Sequence, residues 1–163
     1  MPRMARTMVI CVGKLKEPFF LMAVREYQKR LSAFGELTVL ELPEQKLPEN
    51  PSQGEIDAAL AKEAEAVREK IPRGAHVIAC TPEGREMSSE ELASHLESVR
   101  LSGKSTLCFL VGSSFGMDQE LKRHADLRLS FSKMTFPHHL FRVMLLEQIY
   151  RAESISAGKR YHK

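Results

Sequence analysis

Apolar runs of about five residues alternate with segments of helical periodicity along this chain. The apolar runs, rich in β-branched and aliphatic residues, predict strands over residues 8–12, 37–42, 75–80, 106–111 and 126–130. The periodic segments predict helices beginning at Pro18, over 55–70, from Ser88 to Ser102, near 118–124 and from Pro137 toward Gly158. Helices between strands imply parallel pairing, so the predicted fold class is α/β, a three-layer sandwich with a mostly parallel sheet.

The segments between the predicted strands and helices also contain recognisable sequence patterns. Residues 43–54 hold three prolines and are predicted to be a loop, and residues 81–84 (Thr-Pro-Glu-Gly) are predicted to be a turn. Ser88 and Glu91 form a capping box at the start of a helix. No repeat, low-complexity tract or long linker divides the 163 residues, so the whole chain, 1–163, is predicted to be one domain, with 1–6 as a disordered N-terminal extension.

Three loops follow the carboxyl ends of predicted strands. They are the loop after Cys80, the glycine-containing loop 112–116, and residues 130–136. Ligands of open α/β sheets bind at this edge, so these loops are predicted to form one site. Loop 112–116 (Gly-Ser-Ser-Phe-Gly) is neither a Rossmann fingerprint nor a P-loop, because no Lys-Ser/Thr pair follows its second glycine. The pocket therefore favours a small polar ligand over a metal or a covalent nucleophile.

Composition narrows the class of protein. Hydrophobic content of 43% and charged content of 28% are typical of soluble globular proteins, and no apolar run is long enough to span a membrane. The apolar run 8–12 is too short for a signal peptide, so the expected location is the cytoplasm. The three cysteines, Cys11, Cys80 and Cys108, lie in strand-like runs and read as core residues of a reducing compartment. They lack ligand spacing, so no metal site is predicted.

The last predicted helix is apolar around most of its circumference. Such a helix must be buried on more than one side, which predicts a homodimer; a place deep in the core of the monomer is the alternative. His138 begins this helix, and Arg142 lies one turn later on the same face. Arg142 is predicted to contact an anion or RNA, with an ion pair in the dimer as the equal alternative, whereas His139 is expected to be a cap or a surface residue. The net charge of +3 permits a nucleic-acid partner but does not require one.

Read together, several motifs resemble one family. They are Gly112-x-x-x-Gly116, the run 129–138 (LSFSKMTFPH), the run 147–152 (EQIYRA) and the terminal run 161–163 (YHK), with matching N-terminal runs at 12–17 and 26–31. The sequence is similar to the RlmH family, small SPOUT-class methyltransferases that modify a pseudouridine in bacterial large-subunit (23S) rRNA. The likeness covers nearly all of the chain after Thr7.

The resemblance implies properties that the spacing of residues cannot show. It implies a C-terminal trefoil knot, a homodimer, and S-adenosylmethionine as the cofactor. Contacts to this cofactor would come from Cys80, Gly112, Phe131, Ser132, Lys133, Met134, Thr135 and Phe136. The implied reaction is methylation at N3 of the pseudouridine, for which the candidate catalytic residues are His138, Arg142, Tyr161 and His162. The tail residues would act across the dimer, and the substrate would be rRNA within an assembled ribosome, with phosphate contacts from Lys14, Lys16, Lys159 and Arg160.

Two positions depart from the family pattern. Cys80 replaces a residue that is often leucine, and Ser113 replaces the second of two consecutive glycines. If that glycine requires positive φ or close approach to the cofactor, Ser113 is expected to weaken cofactor binding. Because Gly112 is retained, function is expected to survive. One alternative is a protein of the same fold that acts on another RNA such as tRNA; the other, motivated by Ser113, is a non-catalytic protein that binds RNA or the ribosome.

Overall fold

The computed structural model describes residues 6–161, and its strands and helices follow the predicted order. The strands are β1 (Arg6–Val12), β2 (Leu37–Leu42), β3 (His76–Glu86), β4 (Thr106–Val111) and β5 (Leu127–Ser130). The helices are α1 (Pro18–Leu31), α2 (Gln53–Lys70), α3 (Ser89–Leu101), α4 (Gln119–His124) and α5 (His138–Ser156), with a short 3-10 turn at Ser32–Phe34. Arg6, predicted to lie in the N-terminal extension, begins β1, and residues 1–5 lie outside the described residues.

The five strands form one parallel sheet in the order β2-β1-β4-β3-β5. Alternate residues of the central strands enter two different cores. Val9 and Cys11 of β1 pack with residues of α1, α3 and α5, whereas Ile10 and Val12 pack with residues of α2 and α4. Helices therefore cover both faces of the sheet, and the predicted α/β three-layer sandwich is confirmed.

Helix starts follow the local chemistry of the sequence. Ser52 and Ser88 each accept a hydrogen bond from the backbone N–H three residues later, while Glu55 and Glu91 bond back to the two serine N–H groups. These are complete capping boxes that satisfy donors the helices would otherwise leave open. α1 begins at Pro18, whose ring suits the first helical turn.

β3 is longer than predicted. Residues 81–84, predicted to be a turn, are part of the strand, which continues to Glu86 and pairs with β5 after a register shift between Cys80 and Arg85. Gly84 permits this pairing, since a Cβ atom there would lie only 2.7 Å from the backbone carbon of Arg128. Instead of ending the strand in a turn, residues 81–84 form an irregularity within it: Cys80 and Arg85 both pair with Leu129, and the residues between them have no partner in β5.

α5 lies at the centre of one helical layer and packs against both α1 and α3. Leu145, Leu146 and Ile149 are fully buried against them and the sheet. The monomer thus accounts for much of the apolar circumference of α5. The homodimer and the trefoil knot stay predictions. Among residues 6–161, no helix is both long and apolar enough to traverse a lipid bilayer.

Candidate functional site

A pocket of about 1090 Å³ opens at the carboxyl ends of β3, β4 and β5. Its walls come from the three loops that the sequence places at this edge of the sheet. They contribute Cys80, Thr81, Gly112, Ser113, Phe115, Gly116, Phe131, Ser132, Met134, Thr135, Phe136 and His138. Strands of a parallel sheet end together, which is why segments far apart in the chain meet here.

Gly112 is the glycine on which the first pocket loop depends. A Cβ atom at this position would collide with the backbone carbonyl of Gly116. The loop turns back tightly because Ser113 and Gly116 exchange backbone hydrogen bonds of 3.0 and 2.9 Å. Gly116 has φ +100°, so the positive φ of this loop lies at its last residue.

Ser113 does not occupy the conformation that would penalise a serine. Within the described residues, only glycines have positive φ. The Ser113 side chain is buried near the carboxyl group of Glu63. Burial raises the pKa of Glu63, an effect partly offset by the hydrogen bond it accepts from the Gln45 N–H over 2.8 Å. Serine is therefore accommodated as a polar residue between the loop and α2.

Two serines, Ser130 at the end of β5 and Ser132 in the loop, hold the second pocket loop, residues 131–136. Ser130 donates from Oγ to the carbonyl of Ser132 over 3.1 Å, and Ser132 Oγ accepts the N–H of Met134 over 3.0 Å. Phe131 packs on Phe141 of α5, with ring centroids 4.6 Å apart. Apart from Lys133, which is exposed, all the residues of this loop line the pocket.

His138 is the catalytic candidate that the structure places on the pocket wall. Its Nε2 atom is buried and makes no hydrogen bond within the described part of the chain. Burial, followed by the neighbouring His139, lowers the pKa of His138, so the ring is neutral at pH 7. His139, expected to be a cap or surface residue, instead lies with Nδ1 3.1 Å from Oε2 of Glu17.

Arg142 lies one turn beyond His138 but does not reach the pocket surface. Its side chain is fully buried, donating from Nη1 to Oε2 of Glu41 over 2.5 Å and from Nη2 to the carbonyl of Gly13 over 3.0 Å. Arg142 therefore forms an ion pair within one protomer, whereas the structural alternative predicted one in the dimer.

Tyr161 packs on the middle of α5. Tyr161 donates from its hydroxyl to Oε2 of Glu147 over 2.9 Å, and its ring packs on Tyr150 and beneath the guanidinium of Arg151. Glu147 is nine residues after His138, a distance of about 14 Å along the helix. Tyr161 is thus remote from the pocket of its own chain, and His162 lies outside the described residues.

Two parts of the pocket wall are not predicted by the sequence patterns. Gln53, Ile56, Asp57 and Leu60 line it from the first turns of α2; their helical spacing marks one face but not what that face covers. Glu83 and Lys122 form an ion pair at the wall. The hydrogen bond from Lys122 is the main reason why the pKa of Glu83 falls to about 2.

The pocket contains no activated thiol. Burial raises the pKa of Cys11 to about 12 and that of Cys80, which lines the pocket, higher still. A thiol that stays protonated is a small apolar wall residue rather than a nucleophile. Within residues 6–161, no cluster of three or more histidine, cysteine or acidic side chains could hold a metal ion.

Comparison with known proteins identifies the family. A family model described as "Predicted SPOUT methyltransferase" matches residues 5–162. The chain belongs to the SPOUT methyltransferase family. The resemblance noted in the sequence is thereby confirmed, and the pocket of this SPOUT methyltransferase lies at the strand ends where its motifs converge.

Curated relatives match this SPOUT methyltransferase over nearly its full length. The chain is 46% identical to "Ribosomal RNA large subunit methyltransferase H 1" of Clostridium perfringens (strain SM101 / Type A) over 155 residues, which is 95% of this chain and 98% of that protein. It is 44% and 45% identical, with the same coverage, to proteins named "Ribosomal RNA large subunit methyltransferase H" in Clostridioides difficile (strain 630) and Bacillus thuringiensis (strain Al Hakam).

A solved structure supports the fold. The tRNA (m1G37) methyltransferase from Aquifex aeolicus superposes with a TM-score of 0.52 over 90% of this chain and 69% of that one. The two sequences are 14% identical, so the comparison concerns the fold alone.

Proposed function

We propose that this protein transfers a methyl group from S-adenosylmethionine to N3 of a pseudouridine in large-subunit rRNA. The observation that carries the proposal is the meeting of the family's motif loops, 112–116 and 131–136, around one pocket. The rRNA substrate is suggested by the names of relatives that are 44–46% identical over 95% of the chain. SPOUT membership supports a methyl transfer.

The pocket suits a cofactor with apolar and polar parts. Its volume of about 1090 Å³ lies just above the range of about 300–1,000 Å³ for small-molecule sites, so the pocket is large enough for such a cofactor. Leu129, Phe131 and Phe136 supply apolar wall, while loop 112–116 brings backbone groups close to the interior. The proposed contacts are Cys80, Gly112, Phe131, Ser132, Met134, Thr135 and Phe136, with Lys133 at the rim. S-adenosylmethionine would supply a methyl group on a sulfonium, an already activated donor.

The acceptor is an imide N–H, whose proton must leave as the new N–C bond forms. His138 suits this step, because its ring is neutral and its Nε2 has no partner within the described residues. Orientation of the acceptor in the pocket supplies the rest of the acceleration. Tyr161 and His162 would complete the site from the tail of the partner subunit in a homodimer, since Tyr161 is remote from its own pocket.

The substrate would be met on assembled ribosomes in the cytoplasm. The test is to incubate the purified protein with labelled S-adenosylmethionine and ribosomes that lack the modification, and then to locate the label. Label on N3 of one pseudouridine of the large-subunit rRNA is the expected result. Label on tRNA, or cofactor binding without transfer to any RNA, would contradict the proposal.

A further inference from the structure

The loop between β1 and α1, residues 13–17, alternates buried and exposed side chains. Gly13 and Leu15 are buried, whereas Lys14 and Lys16 are exposed. The loop follows the carboxyl end of β1, on the same edge of the sheet as the pocket. A Cβ atom on Gly13 would lie 3.6 Å from Nε2 of His138, so the loop passes beside the candidate catalytic ring. The two lysines therefore lie on a segment that borders the pocket.

Arg142 fixes the buried half of this loop. It donates to the carbonyl of Gly13 over 3.0 Å and to Oε2 of Glu41 over 2.5 Å. The same Glu41 oxygen accepts the N–H of Leu15 over 2.9 Å. One guanidinium thus holds two points of the loop, one directly and one through a carboxylate. A planar guanidinium can satisfy two acceptors at once, which an ammonium group does less well.

The charges around the loop are unevenly paired. Glu41 is paired with Arg142, and Glu17 is in contact with His139, both partners lying in the first turns of α5. Neither Lys14 nor Lys16 forms an ion pair with another residue of the described range 6–161. A third acid, Glu44, has Oε2 3.5 Å from where a Cβ on Gly13 would lie, and its Oε1 accepts a hydrogen bond from Ser114 Oγ over 2.7 Å. The loop therefore presents two exposed cations to solvent.

We propose that Lys14 and Lys16 hold rRNA phosphates beside the pocket, and that Arg142 is the positioning residue that presents them. This inference rests on the proposed function and specifies where its RNA substrate is held. Phosphate contacts set the register of a protein on RNA, which would align the target base with His138. Because Arg142 is fully buried, it acts through the loop and touches no RNA itself.

The other basic residues of the sequence lie elsewhere in the same chain. Lys159 and Arg160 follow the C-terminus of α5, about 27 Å along the helix from His138. The ammonium of Lys159 lies over the Phe34 ring, 4.7 Å from its centroid. Of these four residues, Lys14 and Lys16 are the ones on a segment beside the pocket of the same chain, and they are the pair to test.

The test compares two double variants in their binding to ribosomes that lack the modification, as a function of salt. Lys14→Gln/Lys16→Gln removes the proposed contacts. Lys70→Gln/Arg73→Gln removes the same charge from exposed positions at the opposite edge of the sheet. Loss of two phosphate contacts should lower the slope of log affinity against log salt by about 2 in the first variant, while its affinity for S-adenosylmethionine stays unchanged. Equal slopes in the two variants would overturn the proposal.

Arg142→Lys tests the positioning role. It should raise KM for ribosomes without changing the affinity for S-adenosylmethionine. Added to Lys14→Gln/Lys16→Gln, it should weaken ribosome binding no further, since Arg142 acts through those lysines. Additive losses of ribosome affinity would assign Arg142 a purely structural role. The folding of each variant is checked by thermal unfolding. The lysine variants by themselves test whether this loop binds rRNA phosphates.

The binding measurement also separates two kinds of failure. If the wild-type protein binds ribosomes but transfers no methyl group, the proposed function fails while the comparison of salt slopes remains readable. If transfer occurs and the slopes of the two double variants coincide, only the assignment of the loop fails.

Discussion

Gly112 and Gly116 lie so close that a side chain on the first would collide with the carbonyl group of the second. The closeness results from the hydrogen-bond pair between Ser113 and Gly116, which folds the loop back against the end of β4. The two glycines thus have different structural roles. Gly112 is needed for space, and Gly116 for its φ of +100°.

Gly112→Ala should open the loop and damage the pocket. Relief of the collision requires backbone movement, so we expect a loss of about 1–3 kcal/mol in the free energy of unfolding, typical of overpacking, and much weaker binding of S-adenosylmethionine. Denaturant unfolding and calorimetric titration measure the two effects. Gly54→Ala is the matched control, because a Cβ there approaches only Ser52 Oγ, at 4.0 Å. Unchanged cofactor affinity in Gly112→Ala would contradict this account.

Ser113→Gly should not improve cofactor binding. Ser113 has no positive φ to relieve, and its side chain is buried beside Glu63. Introducing glycine adds freedom to the unfolded chain, so the free energy of unfolding should fall by about 0.5–1 kcal/mol. Calorimetric titration with S-adenosylmethionine measures the cofactor affinity of the variant. A large gain in affinity would mean that the serine obstructs the cofactor after all.

The pH profile of methyl transfer should report His138. Its pKa lies below the ordinary value of 6.5, chiefly because of burial, so the neutral ring persists to lower pH than in a free histidine. The decline of transfer at acidic pH should therefore lie at lower pH than the titration of a free histidine. The same shift means that the unfolded chain binds this proton more readily, so His138 also makes the protein less stable as the pH falls below 6.5.

His138→Asn should abolish most of the transfer and remove this acidic limb from any residual rate. His124→Asn is the control, since His124 is exposed on α4 and lies outside the pocket wall. Transfer is measured with labelled cofactor between pH 5 and 8, with ribosome integrity checked at each point. An acidic limb that survives in His138→Asn would assign the titration to another group.

Deleting residues 161–163 should abolish transfer yet spare most of the affinity for S-adenosylmethionine, because Tyr161 lies away from the pocket of its own chain. The oligomeric state is measured in parallel, so that loss of transfer is not confused with loss of a dimer. Tyr161→Phe is the graded companion: it keeps the ring against Tyr150 and removes the hydrogen bond to Glu147, at a cost of about 1 kcal/mol in stability. Full transfer by the deletion variant would exclude a catalytic tail.

Much of the fold was readable from local sequence. The bounds of β2 (Leu37–Leu42) and β4 (Thr106–Val111) coincide with the prediction, and the capping box of Ser88 and Glu91 is present as expected. The meeting of the pocket loops also followed from the parallel sheet. These features depend on residues close in the chain or on a general rule of topology, so a pattern of neighbouring residues is sufficient to predict them.

By itself, then, the sequence determined the class of fold, the helix starts, the pocket-forming edge and, through its motifs, the family. Tertiary structure decided the rest. β3 resumes after residues 81–84 because β5 lies beside it: Cys80 and Arg85 both pair with Leu129. Arg142 is buried in an ion pair because it contacts Glu41 and Gly13, which lie 101 and 129 residues earlier in the chain. A residue's partners across the fold decide whether a charge faces solvent or is buried in an ion pair, and local periodicity contains no information about those partners.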